Sequence, residues 1–188
     1  IMVAQVANYE SAGTVEFLLD SYGKYYFIEM NTRIQVEHGV TEMITNVDII
    51  KEQIKIASGY PLDIKQKDVN FNGHAIECRI NAENPKHSFL PCSGKIKNVH
   101  FPGGSRVRID TALYNGYVIP PYYDSMLAKI IVYDLDRKSA INKMRSMLSE
   151  LIVEGVPTNL EFQRDILNNL NFWKGDFTTD FITNYFHV

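Results

Sequence analysis

The sequence predicts an α+β fold in which strands come first and helices close the chain. Three observations carry this expectation. Two β-rich runs, GTVEFLLD (13–20) and YYFIEMNTR (25–33), flank a short loop at residues 21–24, which is a hairpin signal. Four more short apolar runs follow in the second half, with Pro102-Gly103-Gly104 and Pro120-Pro121 between them. Beyond residue 136 the apolar positions change to helical spacing, at Ile141, Met144, Met147, Leu148 and Leu151.

Taken in order, the opening IMVAQVANYESAG reads as the last turns of a helix that begins upstream, and the chain as a piece of a longer polypeptide. It has no basic n-region and no cleavage signature. After the hairpin, Asp48 can cap a helix running to about Ser58, with Ile49, Ile50, Ile54 and Ile56 supplying its apolar face and Gly59 ending it. GYPLDIKQKDVNFNG breaks the periodicity, so the domain boundary is expected near residue 66, giving domains at 1–66 and 67–188. Strands are expected at 74–83, 94–101, 105–113 and 126–135, a helix at about 137–150, a short strand LIVEG, and helices starting near Thr158 and Thr178.

Composition narrows the function. The 188 residues carry 19 basic and 22 acidic side chains, a formal charge of −3, so no positive field draws nucleic acid or an anionic membrane. The apolar runs fall far short of the roughly 20 residues a membrane span needs. Two cysteines, Cys78 and Cys92, make no disulfide framework, and a reducing, cytoplasmic setting is expected; a single bond between them stays open as the alternative.

The hairpin holds the most informative arithmetic. If Asp20 pairs with Tyr25, counting back along both strands sets Glu16 opposite Glu29 on one side of the sheet. Two carboxylates facing each other repel. A divalent cation between them reverses the sign, and hard oxygen ligands suit Mg²⁺ or Mn²⁺. In an extended chain Phe27, Glu29, Asn31, Arg33, Gln35 and Glu37 would share that side, while Ile28, Met30, Thr32, Ile34 and Val36 would face the other. Such a polar row is either a metal-and-anion site or the solvated face of an amphipathic strand.

These residues also carry a family signature. EFLLDSYGKYYFIEMNTRIQVEHGVTEMITNVDIIKEQIKIASG closely resembles the end of the ATP-grasp domain of biotin carboxylases. GHAIECRINAE, the FLP…GKI segment, FPGGSRVRID and VIPPYYDSMLAKIIV resemble the small sheet-plus-helices C-terminal domain that follows it. The resemblance runs from about residue 12 to 176. EMNTRIQVEH matches the wording of the biotin carboxylase of acetyl-CoA carboxylase, the ligase that serves fatty acid synthesis. Pyruvate and propionyl-CoA carboxylases are the alternative, and a non-catalytic dimerisation module is a third reading.

The resemblance implies roles residue by residue. Family members activate bicarbonate with ATP to carboxyphosphate and carboxylate biotin on its carrier. Glu16 and Glu29 match the ligands of Mg²⁺ (or Mn²⁺), with Asn31 beside them. Arg33, Gln35 and the backbone of Val36 match the bicarbonate cradle, and the planar guanidinium of Arg33 suits a planar anion. Glu37 matches the general base, Arg108 the arginine that stabilises the biotin enolate, and Leu18 with Phe181 the side chains against adenine. The implied partners are the biotin carboxyl carrier protein, carboxyltransferase subunits and a second copy in a homodimer. Two positions depart from the pattern: Gly39 replaces a proline beside the proposed base, and Arg106 replaces a glycine before Arg108. The glycine-rich phosphate loop and the lysines for the ATP phosphates are absent from the 188 residues, so the chain is expected to be inactive alone.

Overall fold

A computed structural model describes residues 1–186 and divides the chain into two compact units, Ile1–Asn72 and Gly73–Val188.

The first unit opens with a short helix α1 (Met2–Val6) and then the hairpin β1 (Thr14–Leu19) and β2 (Tyr25–Asn31). The expected pairing of Asp20 with Tyr25 does not form. Leu19 pairs with Tyr25, Leu18 with Tyr26 and Phe17 with Phe27, and then a bulge at Ile28 shifts the register so that Glu16 faces Glu29. Asp20 instead closes the tip: its side chain accepts from the Lys24 and Tyr22 amides, each at 2.9 Å. The backbone N–H of Lys24, ahead of the other contacts, holds the Asp20 carboxyl below its ordinary pKa. The bulge also breaks the expected alternation. Phe27 shares a side with Phe17, whose ring it meets edge-on at 5.6–6.1 Å together with Tyr25, and not with Glu29.

Strand β2 ends at Asn31, so residues 33–37 are a turn segment and not part of an extended row. Helix α2 (His38–Thr45), unforeseen in the sequence, starts after Glu37 and ends where Asn46 turns left-handed at φ 57°. Helix α3 (Ile49–Ala57) is the expected one; Asp48 caps it by accepting from the Lys51 amide at 2.9 Å.

The second unit is built on a three-stranded antiparallel sheet in the order β3 (His74–Asn81), β10 (Met126–Asp134), β8 (Val107–Thr111). Between β3 and β8 the chain makes β4 (Glu83–Asn84), β5 (Leu90–Pro91), β6 (Gly94–Lys95) and β7 (Asn98–His100); β9 (Val118–Ile119) precedes β10. The expected strand at 94–101 is therefore two pieces, β6 paired with β9 and β7 with β11 (Ile152–Glu154). Gly155, at φ 117°, makes the crossing tight: a Cβ there would lie 2.2 Å from the Lys95 carbonyl oxygen, so only glycine fits.

Helix α4 (Arg137–Glu150), capped by Asp136, lays Ile141, Met144 and Leu148 on the sheet against Cys78, Ile80, Ile130 and Val132. α5 (Leu160–Asn168) adds Leu160 and Leu167, and α6 (Leu170–Lys174) and α7 (Phe181–Tyr185) follow. Because β10 is the middle strand it is apolar almost throughout, while β3 alternates. Asn159 stitches α5 to the sheet: its Oδ1 accepts from the Asn81 amide at 2.9 Å and its Nδ2 donates to the Arg79 carbonyl at 3.1 Å. A smaller core holds Ala82, Ile96, Ile119 and Leu127. Both cysteines are free. Trp173 is half-buried at the edge of the main core, whereas Tyr122 and Tyr123 are exposed turn residues that pack on little. No helix among the described residues is long and apolar enough to cross a membrane.

Candidate functional site

In the first unit, Glu16 and Glu29 stand directly opposite each other on the hairpin. Asn31, two residues beyond Glu29 and paired with Thr14, bridges them: its Nδ2 donates to Glu16 Oε1 at 2.7 Å and to Glu29 Oε1 at 3.2 Å. Gln35 adds a second donor to the same Glu16 oxygen at 2.8 Å. The pair of like charges is thus bridged by one neutral amide, Asn31, with Gln35 supporting Glu16 alone, which stabilises it less than a cation would. Among the described residues no three His, Cys, Asp or Glu side chains converge on a metal position. The donor set on offer is two carboxylates and an amide, all oxygen-bearing and hard, which fits Mg²⁺ or Mn²⁺ with part of its shell left to phosphate or water.

Turn residues follow at once. Arg33 is exposed and its Nη1 donates to the Ile34 carbonyl at 3.0 Å. Val36 lies in the turn that leads to Glu37, the N-cap residue of α2. The Glu37 carboxylate is exposed and makes no ion pair with Arg33, so a purely structural pairing of the two does not account for them. His38 is mostly covered; its Nδ1 lies 2.9 Å from the Gln35 carbonyl and its Nε2 3.9 Å from Glu42, a structural setting. It reaches that setting by standing in the first turn of a helix and not by strand alternation. Gly39 is buried at the second helical position, where the backbone N–H has no intrahelical partner. It sits within regular helix, so its effect on the backbone beside Glu37 is contained.

Leu18 lies on the carboxylate side of the hairpin, since paired residues share a side and sides alternate along β1. It is half-exposed.

The second unit presents its own polar surface on the sheet face turned away from α4. Glu77, Arg79 and Asn81 alternate along β3, Lys129 lies opposite Arg79, and Arg108 and Asp110 continue the rows on β8. Arg108 is engaged: its Nε donates to Asp110 Oδ1 at 2.8 Å and its Nη2 to Oδ2 at 3.0 Å, while Lys129 Nζ lies 3.2 Å from the same Oδ2. Burial pushes the Asp110 carboxyl up, but hydrogen bonds from Arg108 and Lys129 outweigh it and leave the pKa below its ordinary value. Lys129 is 7% exposed, buried by the strands on either side.

Arg79, which the sequence reading passed over, is exposed on this face, and its guanidinium has no hydrogen-bond or ion-pair partner among the described residues. The signal was present: in ECRINAE, Cys78 and Ile80 are core residues, so alternation turns Arg79 outward. Arg106 stands at φ 62°, a left-handed conformation that explains a glycine preference there. Its guanidinium lies over the Tyr133 ring at 5.4 Å and 3.7 Å from Asp134. Phe181 differs from expectation. It is 7% exposed, packed among Phe172, Phe177, Tyr185 and Phe186, because α7 folds its first residue into an aromatic cluster. That is a core position, with little ring surface left for a nucleotide.

Comparison with known proteins assigns the relationship. Residues 77–184 match the family model of the biotin carboxylase C-terminal domain, and residues 1–65 that of the carbamoyl-phosphate synthase L chain ATP-binding domain. The chain is 54% identical over 186 residues to biotin carboxylase 1 of Bacillus subtilis, covering 98% of this chain and 41% of that one. It is equally 54% identical over 185 residues to a pyruvate carboxylase subunit of Methanothermobacter thermautotrophicus, covering 98% and 38%. The crystallised biotin carboxylase domain dimer of the Hydrogenobacter thermophilus 2-oxoglutarate carboxylase, in complex with MgADP, ADP and bicarbonate, superposes with a TM-score of 0.94 at 49% identity, over 97% of this chain and 40% of that one. The chain spans about two fifths of the length of these relatives. On the two family models and this identity along nearly all of its length, the chain belongs to the biotin carboxylase family.

Proposed function

We propose that this chain supplies the metal, bicarbonate and biotin-side residues of an ATP-dependent biotin carboxylase. The observation that carries the reading is the Glu16–Glu29 pair, opposed across one hairpin and joined by Asn31, with Gln35 tying the following turn to the same oxygen. Glu16, Glu29 and Asn31 hold Mg²⁺ or Mn²⁺ on the nucleotide. When bound, the ion draws charge off the phosphate oxygens.

In the proposed reaction, Arg33, Gln35 and the Val36 backbone orient bicarbonate, and Glu37 removes its proton. The bicarbonate oxygen attacks the γ-phosphorus of ATP and ADP leaves, giving carboxyphosphate, which divides into CO₂ and phosphate. Biotin loses its N1 proton to the phosphate just released, Glu37 still holding the proton taken from bicarbonate, and takes up the CO₂ at that nitrogen. A guanidinium stabilises the enolate oxygen that forms meanwhile. Arg108 is the family-suggested choice, but its guanidinium is already occupied by Asp110, whereas Arg79, on the same face, is unengaged among the described residues. Both are tested. Arg79→Ala lowering kcat at least tenfold, with Arg108→Ala acting mainly on stability, would give the role to Arg79; the reverse pattern gives it to Arg108.

Biotin is delivered on a biotin carboxyl carrier protein, a carboxyltransferase uses the product, and the working enzyme is a cytoplasmic homodimer. We assign the chain to acetyl-CoA carboxylase and fatty acid synthesis. The equal identity to a pyruvate carboxylase subunit favours a second reading, in which the acceptor is a 2-oxo acid. Carboxylation of purified carrier proteins from each system separates the two. The first test is biotin-dependent ADP release with ATP, Mg²⁺ and bicarbonate. The expected result is turnover by a polypeptide of the relatives' full length that carries this sequence and none by the 188 residues alone. Turnover by the short chain sinks the inactivity prediction, and turnover by neither sinks the enzyme reading.

A further inference from the structure

The carboxylate side of the hairpin changes character along its length. Glu16, Glu29 and Asn31 occupy the end away from the tip, and the next pair on the same side is Leu18 with Tyr26. One step along a strand on one side is about 7 Å. Phe17, Leu19, Tyr25 and Phe27 belong to the opposite side, where Phe17 meets Tyr25 and Phe27 edge-on, and Ile28 is the unpaired bulge residue. Tyr26 takes part in no such ring contact among the described residues and is 53% exposed, like Leu18 at 51%. Its hydroxyl donates to Asp20 Oδ2 at 3.2 Å, and Asp20 is itself fixed by the Lys24 and Tyr22 amides, so the ring is tethered at its far end.

A surface with two acids at one end and an aliphatic and a tethered aromatic side chain at the other is complementary to a molecule that is charged at one end and flat and apolar at the other. A magnesium nucleotide has that form. We propose that Tyr26 is a base-positioning residue: its ring, side by side with Leu18, forms the platform on which the purine lies while Glu16 and Glu29 take the metal-bound phosphates. The inference rests on the metal assignment above and extends it to a residue that family resemblance did not single out. It also explains why an exposed aromatic ring is held by Asp20 at the hairpin tip.

The test is ADP binding in the presence of Mg²⁺, measured by calorimetry on the full-length polypeptide, alongside inorganic tripolyphosphate as a ligand without a base. Tyr26→Ala is expected to weaken MgADP about tenfold, the scale of one lost aromatic–base contact, and to leave Mg-tripolyphosphate within twofold. Tyr26→Phe keeps the ring and is expected to stay within threefold for both; Tyr25→Ala, on the opposite side, serves as the control. Unchanged MgADP affinity in Tyr26→Ala, or equal loss for both ligands, overturns the platform. If Glu16→Gln leaves the Mg²⁺ dependence of binding intact, the metal assignment fails and the platform with it, so the two failures are told apart.

Discussion

Gln35 donates a 2.8 Å hydrogen bond to Glu16, joining the turn that precedes α2 to a strand nineteen positions earlier. Residues proposed for the anion and for the metal are therefore mechanically one assembly. Gln35→Leu is expected to weaken Mn²⁺ binding about tenfold, the usual consequence of removing a partner of a metal ligand. Arg33→Ala, which does not touch Glu16, should alter bicarbonate KM and leave Mn²⁺ affinity alone. Electron paramagnetic resonance titration of free Mn²⁺ reads both, and equal Mn²⁺ affinities for Gln35→Leu and the parent would refute the linkage.

Asp110 sets a pH dependence. Its folded pKa lies below the unfolded value, so the stabilisation is complete above about pH 4, the ordinary carboxylate range, and is lost as pH falls through the lower folded value. Asp110→Asn takes one carboxylate charge away from both Arg108 and the buried Lys129, at a cost of about 2 kcal/mol at pH 7. The Tm difference between variant and parent should then shrink as pH drops below about 4. A constant difference from pH 7 to pH 2.5 would show that the carboxylate charge is not what stabilises this site.

The two thiols should react very differently. Burial first, and the neighbouring Glu77 charge second, push the Cys78 thiol up to about 12, and it is 4% exposed. Cys92 is partly exposed. An aromatic disulfide reagent at pH 8 is expected to titrate one thiol in the native chain and two after denaturation. Rapid modification of both in the native state would contradict the placement of β3 in the core.

At Arg106, left-handed backbone and favourable contacts oppose each other. Arg106→Ala loses the Tyr133 and Asp134 contacts and keeps the strain, whereas Arg106→Gly loses the same contacts and relieves it. Glycine should therefore exceed alanine in stability by about 1 kcal/mol in denaturant unfolding. Equal values would mean that the loop relaxes out of its left-handed conformation.

How much of this was legible beforehand depended on how local the cause was. The Asp48 cap and the spacing of Ile141, Met144 and Leu148 follow from short-range pattern and have their counterparts in the structure; Glu16 does face Glu29, but by way of the bulge at Ile28 and not by the Asp20–Tyr25 pairing that local counting supposes. The parity row through Glu37 failed, because one bulge and one turn are enough to invalidate an alternation extended over eleven residues. Helix α2 was hidden since Glu37 offers no side-chain cap and the run that follows mixes β-branched residues with Gly39. Phe181 stands elsewhere than the resemblance implies because the aromatic residues flanking it in sequence, Phe172, Phe177, Tyr185 and Phe186, close around its ring. Arg79 could have been found by carrying strand alternation through ECRINAE.

The bulge at Ile28 separates two registers in a hairpin whose strands form only six pairs. Toward the tip Leu19, Leu18 and Phe17 pair with Tyr25, Tyr26 and Phe27; beyond Ile28, Glu16, Val15 and Thr14 pair with Glu29, Met30 and Asn31. The loop can therefore gain or lose a residue, with the slip absorbed at Ile28, and Glu16 will still meet Glu29. A peptide tag inserted at residues 21–24 should leave the Glu16–Glu29 pair in place, and deleting Ile28 should give a regular ladder in which the Phe17–Phe27 and Glu16–Glu29 pairs follow each other directly, with the extra twist of the bulge gone.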